Sequence, residues 1–404
     1  MKILIKQGTA DGIVSAPSSK SAAHRMLICA SMCPELSVID NLPLCQDILA
    51  TIDCLRTMGV EIELEGTSAK ISGIDFTKAN PVGVLNCRES GSTLRFLIPF
   101  ALLSGKEIQF IGSEKLLSRP MTVYENLARD YGFSFKNDGK KITVCGKLSA
   151  GEYFIDGGVS SQFITGMLMA LSALDRNSKI IVNSKIESRP YVDLTIRIMT
   201  EMGVEVNSED DHSFLIRGGQ KYRCTNASVE GDWSGGAFLE AFNYLGNNNC
   251  VTVNDLSANS TQGDRVCPEL FSKLEKGYTE IDISNCPDLG PILFVVAAVN
   301  HGAKFVGTKR LRDKESDRVS SMIEELSKFG AELTTEENSV TVKKCRLNAP
   351  KDPLFGHNDH RVVMSLAVLC SLLGGEIDGY EAISKSYPDF FGDIKILGID
   401  AYEI

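Results

Sequence analysis

Met199-Thr200-Glu201-Met202-Gly203-Val204-Glu205-Val206 closes an amphipathic helix, turns on a glycine and opens a strand. Glycine just past a helix is the expected left-handed stop, because it has no Cβ to clash there. The same signature recurs at 55–62 around Gly59, 127–133 around Gly132, 274–278 around Gly277, 326–333 around Gly330 and 396–399 around Gly398. Six copies, spaced about 70 residues apart and closer around Gly277, read as duplication of one unit.

Each unit also holds an earlier helix that is apolar on all sides, and such a helix is buried. These lie near 22–32, 94–103, 163–174, 237–245, 292–299 and 362–373. The unit therefore reads strand, buried helix, strand, amphipathic helix, strand, strand. The fourth unit lacks its last strand, and the sixth ends at Ile404 after one strand. The leading strands 2–6 and 12–14 are expected to complete the sixth, which carries the N-terminus into the C-terminal half. The predicted fold is α/β, with two domains of three βαβαββ-type units. One spans 15–228 and the other joins 1–14 to 229–404, and the two crossing connections act as a hinge.

The chain has 404 residues and is 43% hydrophobic, enough to build two domain cores. No stretch resembles a signal peptide, and the most apolar one, 291–299, is too short to span a bilayer. A net charge of −10 argues against general nucleic-acid affinity. The twelve cysteines are scattered without a CxxC pair, and Cys29, Cys250 and Cys370 sit in apolar runs. They read as reduced core thiols of a cytoplasmic protein rather than a disulfide or zinc framework.

The starts of the buried helices share a chemistry. In Arg88-Glu89-Ser90-Gly91-Ser92-Thr93-Leu94-Arg95, a strand-like run from Val82 to Cys87 leads to N-cap residues and a glycine that permits close approach. A helix start leaves N–H groups unpaired and partly positive, so it suits an anion. The other starts are Pro17-Ser18-Ser19-Lys20-Ser21, Ser160-Ser161-Gln162, Ser234-Gly235-Gly236, Asp288-Leu289-Gly290-Pro291 and Asn358-Asp359-His360-Arg361. If the units share one orientation, these starts converge. Cations recur in the same places: Lys20, Arg25, Arg95, Arg119, Arg189, Lys314, Arg318, Arg361 and Lys385. Such a set suits substrates that carry several phosphates and carboxylates.

Two acids accompany them. Glu315 lies between cations and reads either as a proton donor and acceptor or as a helix-start carboxylate paired with lysine. Asp288 reads either as a base or as a capping residue. His24 and His360 read as structural histidines. No HExxH, P-loop or GxGxxG-plus-acid pattern is present.

Taken as a set, these residues resemble the 5-enolpyruvylshikimate-3-phosphate synthase (3-phosphoshikimate 1-carboxyvinyltransferase) family of enolpyruvyl transferases. The markers are 17–21 with Arg25, 89–93 with Arg95, Ser118-Arg119-Pro120, Ser160-Ser161-Gln162, Gly231-Asp232, Gln262-Gly263-Asp264, Lys314-Glu315-Ser316-Asp317-Arg318, Asn358-Asp359-His360-Arg361 and Lys385-Ser386-Tyr387-Pro388-Asp389. The resemblance covers essentially the whole chain. It implies a two-domain inverted α/β barrel of six units, three per domain, with the active site in the interdomain cleft. It also implies transfer of the enolpyruvyl group of phosphoenolpyruvate to the 5-hydroxyl of 3-phosphoshikimate, through a tetrahedral intermediate and with loss of phosphate.

The implied contacts to 3-phosphoshikimate are Lys20, Ser21, Arg25, Ser160, Ser161, Gln162, Ser188, Tyr191, Asp288 and Lys314. Those to phosphoenolpyruvate are Lys20, Gly91, Arg119, Gln162, Arg318, Arg361 and Lys385, with Arg95 and His360 in support. Asp288 is implied as base and Glu315 as proton donor, with Lys20 also catalytic. Domain 15–228 is implied to serve mainly 3-phosphoshikimate, and the other domain mainly phosphoenolpyruvate and acid–base chemistry. The resemblance implies no metal, no organic cofactor, no nucleic-acid or membrane partner, and a monomer. Arg310 and Asp313 depart from the family pattern. The alternatives are a UDP-N-acetylglucosamine enolpyruvyl transferase and a catalytically silent anion-binding protein. The first carries a reactive cysteine before its Arg-Pro, and the loop 112–118 has none.

Overall fold

The computed structural model spans residues 1–404 and describes all of them except Val82 and Asn247. The chain forms two compact units, Ser18–Glu230 and Met1–Pro17 with Gly231–Ile404. Each has its own apolar core.

In Ser18–Glu230 three sheets repeat one strand order. Val84–Asn86 runs parallel to Ile108–Ile111, which pairs antiparallel with Ile142–Cys145, which pairs antiparallel with Ser134–Asn137. Parallel neighbours need a crossover connection, and here it is the helix Gly91–Leu103. That helix buries every residue except Ser92, as its apolar sequence requires. Of the strand-like run 82–87, Val84–Asn86 is strand, and Val82 lies outside the described residues. The third unit repeats this order with Glu152–Ile155, Ser178–Val182, Ser213–Ile216 and Val206–Ser208. In the first unit the leading place is filled by Asn226–Ser228, from the far end of the segment, paired parallel to Leu36–Asp40.

The other unit holds the fifth sheet, Thr279–Asp282, Ala303–Val306, Ser339–Val342 and Leu333–Thr335, in the same order. The sixth sheet places Lys2–Ile5 between Gly375–Asp378 and Ala401–Glu403, which supplies the strand the sixth unit lacks. The second leading strand corrects the sequence expectation. Asp11–Ser15 pairs parallel with Cys250–Asn254 of the fourth unit, not with the sixth. The sixth sheet is complete with four strands, whereas Cys250–Asn254 has no other strand to satisfy its backbone groups among the described residues.

Five of the six signature glycines take positive φ: Gly59, Gly132, Gly203, Gly330 and Gly398. Gly277 does not. It is extended, with φ 163° and ψ 179°, so the helix Cys267–Lys276 runs straight out into Thr279–Asp282. The cysteines are unbridged. Cys29 and Cys370 are buried as expected, but Cys250 is exposed, because it occupies an outward position of its alternating strand.

Candidate active site

Within Ser18–Glu230 the starts of the three buried helices are stitched together at one end. Ser19, Ser90 and Ser160 cap them, accepting from the backbone N–H of Ala22, Thr93 and Gln162. Gln162 Nε2 donates to Ser92 Oγ at 3.0 Å, joining the third helix to the second. Thr93 Oγ1 lies 2.7 Å from Thr51 Oγ1, and Thr51 lies 2.8 Å from His24 Nδ1, joining the second to the first. His24 is structural, as the sequence indicated. Burial, with Lys20 and Arg25 nearby, drives its pKa well below the ordinary value and keeps it neutral.

Cations sit among these starts. Lys20 Nζ is 3.0 Å from Asp47 Oδ2. Arg95 donates to Gln162 Oε1 at 2.8 Å and to the Pro120 carbonyl at 3.3 Å, and it lies over the Phe163 ring. It thus ties Gln162 to the backbone beside Arg119. Arg119 is 8% exposed, and a Cβ added at Gly91 would stand 2.9 Å from its Nη1. Arg25 is buried and donates to Thr195 Oγ1, the Ser21 carbonyl, Thr165 Oγ1 and the Tyr191 carbonyl. A guanidinium has five N–H groups, and these four bonds leave one on Nη1 for a ligand. Burial lowers its pKa to about 10. Ser161 and Ser188 are also buried, Ser188 with a left-handed backbone at φ 57°. Arg189 stands apart from this set, paired with Asp193 at 2.8 Å.

Within the other unit, Arg361 plays the stitching part. It leads the helix His360–Leu373, and its Nη1 donates to the Ser234 carbonyl at the start of Trp233–Glu240. Its Nη2 donates to Asp288 Oδ2 at 3.2 Å, in the turn that opens Gly290–Val299. Asp288 caps neither that turn nor that helix. Its carboxylate instead meets Lys314 at 3.3 Å, Arg318 at 2.8 Å and Arg361 at 3.2 Å. Burial pushes its pKa up, but Arg361, Lys314 and Arg318 outweigh it and hold the pKa well below the carboxylate range. Lys314 bears the converse cost. Burial lowers it to about 8 even though Asp288 opposes the shift.

Arg318 organises the acids. It is 1% exposed and donates to Asp359 Oδ2 at 2.9 Å, Asp288 Oδ1 at 2.8 Å and Glu315 Oε2 at 2.7 Å. One guanidinium therefore holds both acids singled out from the sequence. Asp359 also accepts from Ser316 and caps the helix that carries Arg361. His360 is buried, and Lys385 Nζ donates to the Asn358 carbonyl at 2.6 Å.

The sequence reading passed over Asp47 and Asp359 as individual contacts. Asp359 carried a signal, since an aspartate directly before His-Arg at a helix start is an N-cap. Asp47 carried none, because a first-turn acid on an amphipathic helix is ordinary. Asp264 closes the Gln262-Gly263-Asp264 motif. It is buried, accepts from Ser234 Oγ, and is raised to about 7 by burial and by Asp288.

Residues 5–394 match the family described as EPSP synthase (3-phosphoshikimate 1-carboxyvinyltransferase). The chain belongs to that family. It is 39% identical to the 3-phosphoshikimate 1-carboxyvinyltransferase of Clostridium novyi (strain NT), covering 96% of this chain and 95% of the relative. Identity to the enzyme of the same name from Clostridium kluyveri is 38%, covering 98% and 97%. An EPSP synthase structure from Acinetobacter baumannii superposes with a TM-score of 0.79 at 21% identity, over all of both chains. The enolpyruvyl transferase NikO from Streptomyces tendae superposes at 0.77 with 12% identity, covering 99% and 98%. These structural likenesses bear on the fold, and the mixed α/β architecture of repeated units is that of the EPSP synthases.

Proposed function

We infer that the protein transfers the enolpyruvyl group of phosphoenolpyruvate to the 5-hydroxyl of 3-phosphoshikimate and releases phosphate. This is a step of the shikimate pathway, toward chorismate and the aromatic amino acids. The observation that carries the reading is the double grip of Arg318 on Asp288 and Glu315, beside Lys314 and Arg361. The reaction needs a base for a hydroxyl, an acid for a methylene carbon, and cations for the phosphate and carboxylate. This cluster offers all three.

In the proposed mechanism Asp288 takes the proton of the 5-hydroxyl while Glu315 protonates the methylene of phosphoenolpyruvate. Protonation makes C2 electrophilic and the hydroxyl oxygen adds to form a tetrahedral intermediate; elimination then returns a proton from the new methyl group to Glu315, restores the C=C bond and expels phosphate, which leaves with the proton held by Asp288. Lys20, Arg119, Arg318, Arg361 and Lys385 hold the phosphate and carboxylate of phosphoenolpyruvate, with Gly91 and Gln162 shaping that pocket. Lys20, Ser21, Arg25, Ser160, Ser161, Gln162, Ser188, Tyr191 and Lys314 hold 3-phosphoshikimate. A carboxylate as acidic as Asp288 is a poor base while three cations surround it. Anionic substrate draws those cations to itself and so restores the basicity of Asp288 as the complex forms.

The test is phosphate release with each acceptor. Turnover is expected with 3-phosphoshikimate and none with UDP-N-acetylglucosamine, and turnover only with the nucleotide sugar would reverse the assignment. We also propose a cytoplasmic monomer needing no metal or organic cofactor. The unbridged thiols suit a reducing compartment, and no described helix is long and apolar enough to cross a membrane. Light scattering of the purified protein checks the monomer, and dialysis against EDTA the metal.

A further inference from the structure

Glu325 has no part in this chemistry, yet it is a fully buried carboxylate on the helix that begins with Arg318. Residues seven apart on a helix share a face, so Glu325 lies two turns below Arg318 on the same side. Both reach one segment. Glu325 Oε2 accepts from the backbone N–H of Phe355 at 2.8 Å and from Lys328 Nζ at 2.8 Å, and Oε1 accepts from His357 Nε2 at 2.9 Å. Arg318 grips Asp359 at the other end.

Between these two grips the backbone is strained. His357 and Asn358 are consecutive left-handed residues, with φ 49° and 52°. Neither is glycine; histidine and asparagine enter this region more readily than most residues, but two in succession are uncommon, and such conformations gather at functional segments. The segment delivers two proposed phosphoenolpyruvate contacts. The Asn358 carbonyl receives Lys385 Nζ, and Arg361 follows at the start of the next helix.

We propose that Glu325, with His357, is a positioning residue that holds the 355–359 segment in its left-handed form and thereby sets Arg361 and Lys385 for phosphoenolpyruvate. The inference rests on the assignment of those two cations to that substrate. Glu324, Glu325 and His357 also bring ligand-type atoms within 4.8 Å of one another, as a cation site would. The two oxygens of Glu325 already accept three donors, which favours the clamp.

The experiment is steady-state kinetics of the full-length enzyme with each substrate varied in turn. Glu325→Gln keeps an acceptor for the Phe355 amide but loses the charge that binds Lys328 and His357. It is expected to raise KM for phosphoenolpyruvate by about 5- to 20-fold, with KM for 3-phosphoshikimate within about 2-fold. His357→Ala, at a partly exposed position, is expected to raise the same KM about 3-fold, and His357→Gln to restore it by returning a donor. If Glu325→Gln lowers thermal stability and active fraction but leaves both KM values unchanged, the residue is merely structural and the proposal is overturned. Activity lost on EDTA dialysis and restored by Zn²⁺ would overturn it in favour of a cation site. Lys385→Ala is the control. An unchanged KM for phosphoenolpyruvate there removes the substrate assignment, and the clamp with it, whereas a raised KM there alongside a silent Glu325→Gln removes the clamp alone.

Discussion

Replacing Gly91 by alanine adds a single methyl group at a proposed phosphoenolpyruvate contact. That methyl stands 2.9 Å from Arg119 Nη1, about 0.5 Å inside ordinary contact. Arg95 Nη1 and Gln162 Oε1 lie at 3.6 Å and do not clash. They are also bonded to each other, so the second guanidinium has no slack to offer. The strain therefore falls on Arg119, which is nearly enclosed and must swing its tip away. A hydrogen bond to a charged group is worth about 1.5–3 kcal/mol net, and a shift of this size forfeits part of one, about 1–2 kcal/mol. The expected result is a KM for phosphoenolpyruvate raised about 5- to 30-fold, since about 1.4 kcal/mol is a factor of ten. Stability should change little. Gly91 is the first residue of a helix, so the preference for alanine, about 1 kcal/mol in a helix interior, is smaller there and is partly offset by the displacement of Arg119. Phosphate release with phosphoenolpyruvate varied at saturating 3-phosphoshikimate, alongside a thermal melt, gives both readings. An unaltered KM in a normally folded Gly91→Ala protein refutes the reasoning and places the pocket elsewhere.

Glu315→Gln keeps a carbonyl oxygen for Arg318 but cannot donate as an acid, so kcat should fall about 10²- to 10⁴-fold with a nearly unchanged melting temperature; turnover near the wild-type rate removes Glu315 from its role. Lys314 loses its charge as pH rises through about 8, so kcat/KM for 3-phosphoshikimate should decline above that pH. Its pKa is lowered on folding, so the unfolded chain binds the extra proton and stability rises over the same window. Lys314→Arg should carry activity to higher pH, and an unmoved basic limb would exclude Lys314 as its cause. Asp47→Asn removes the counter-charge that orients Lys20 and should lower kcat/KM for phosphoenolpyruvate about 3- to 10-fold, read by the same assay.

Much of this was legible in the residues because each rule used was local. A glycine after an apolar-periodic run marks a helix end wherever it occurs, and the six glycines gave the repeat. Gly277 shows the limit: composition identified the helix end but not the backbone angle. The exchange of strands was harder. That Asp11–Ser15 lies beside Cys250–Asn254 depends on which sheet edge is open, which only the assembled unit decides. Cations at helix starts were legible from spacing, but their partners were not. Nothing in the sequence around Arg318 says that it contacts three carboxylates, because Asp288 and Asp359 are 30 and 41 positions away. Asp288 shows why a local rule misleads there. Its position before Gly290-Pro291 suits a cap, while the fold supplies three cations that local sequence cannot show.

Those same cations make proton uptake a test of the site that does not depend on turnover. Lys314 titrates near 8 because burial favours its neutral form. An anion seated beside it favours the charged form and must raise that pKa, whatever the anion's later chemistry. At a pH close to 8 about half of the free protein carries this proton, so binding 3-phosphoshikimate should take up roughly half a proton per site. Asp288 works in the same direction: as the ligand draws Lys314 away, one of the three cations that hold its pKa well below the usual range weakens its grip, and uptake appears at lower pH only if the resulting climb is large. Titration calorimetry in two buffers of different ionisation enthalpy separates the two, because Lys314→Arg abolishes the uptake near pH 8 and leaves any contribution from Asp288. Uptake that is absent in the wild type at pH 8, with binding intact, would mean that no anionic group of 3-phosphoshikimate sits against Lys314 and would remove Lys314 from its contacts.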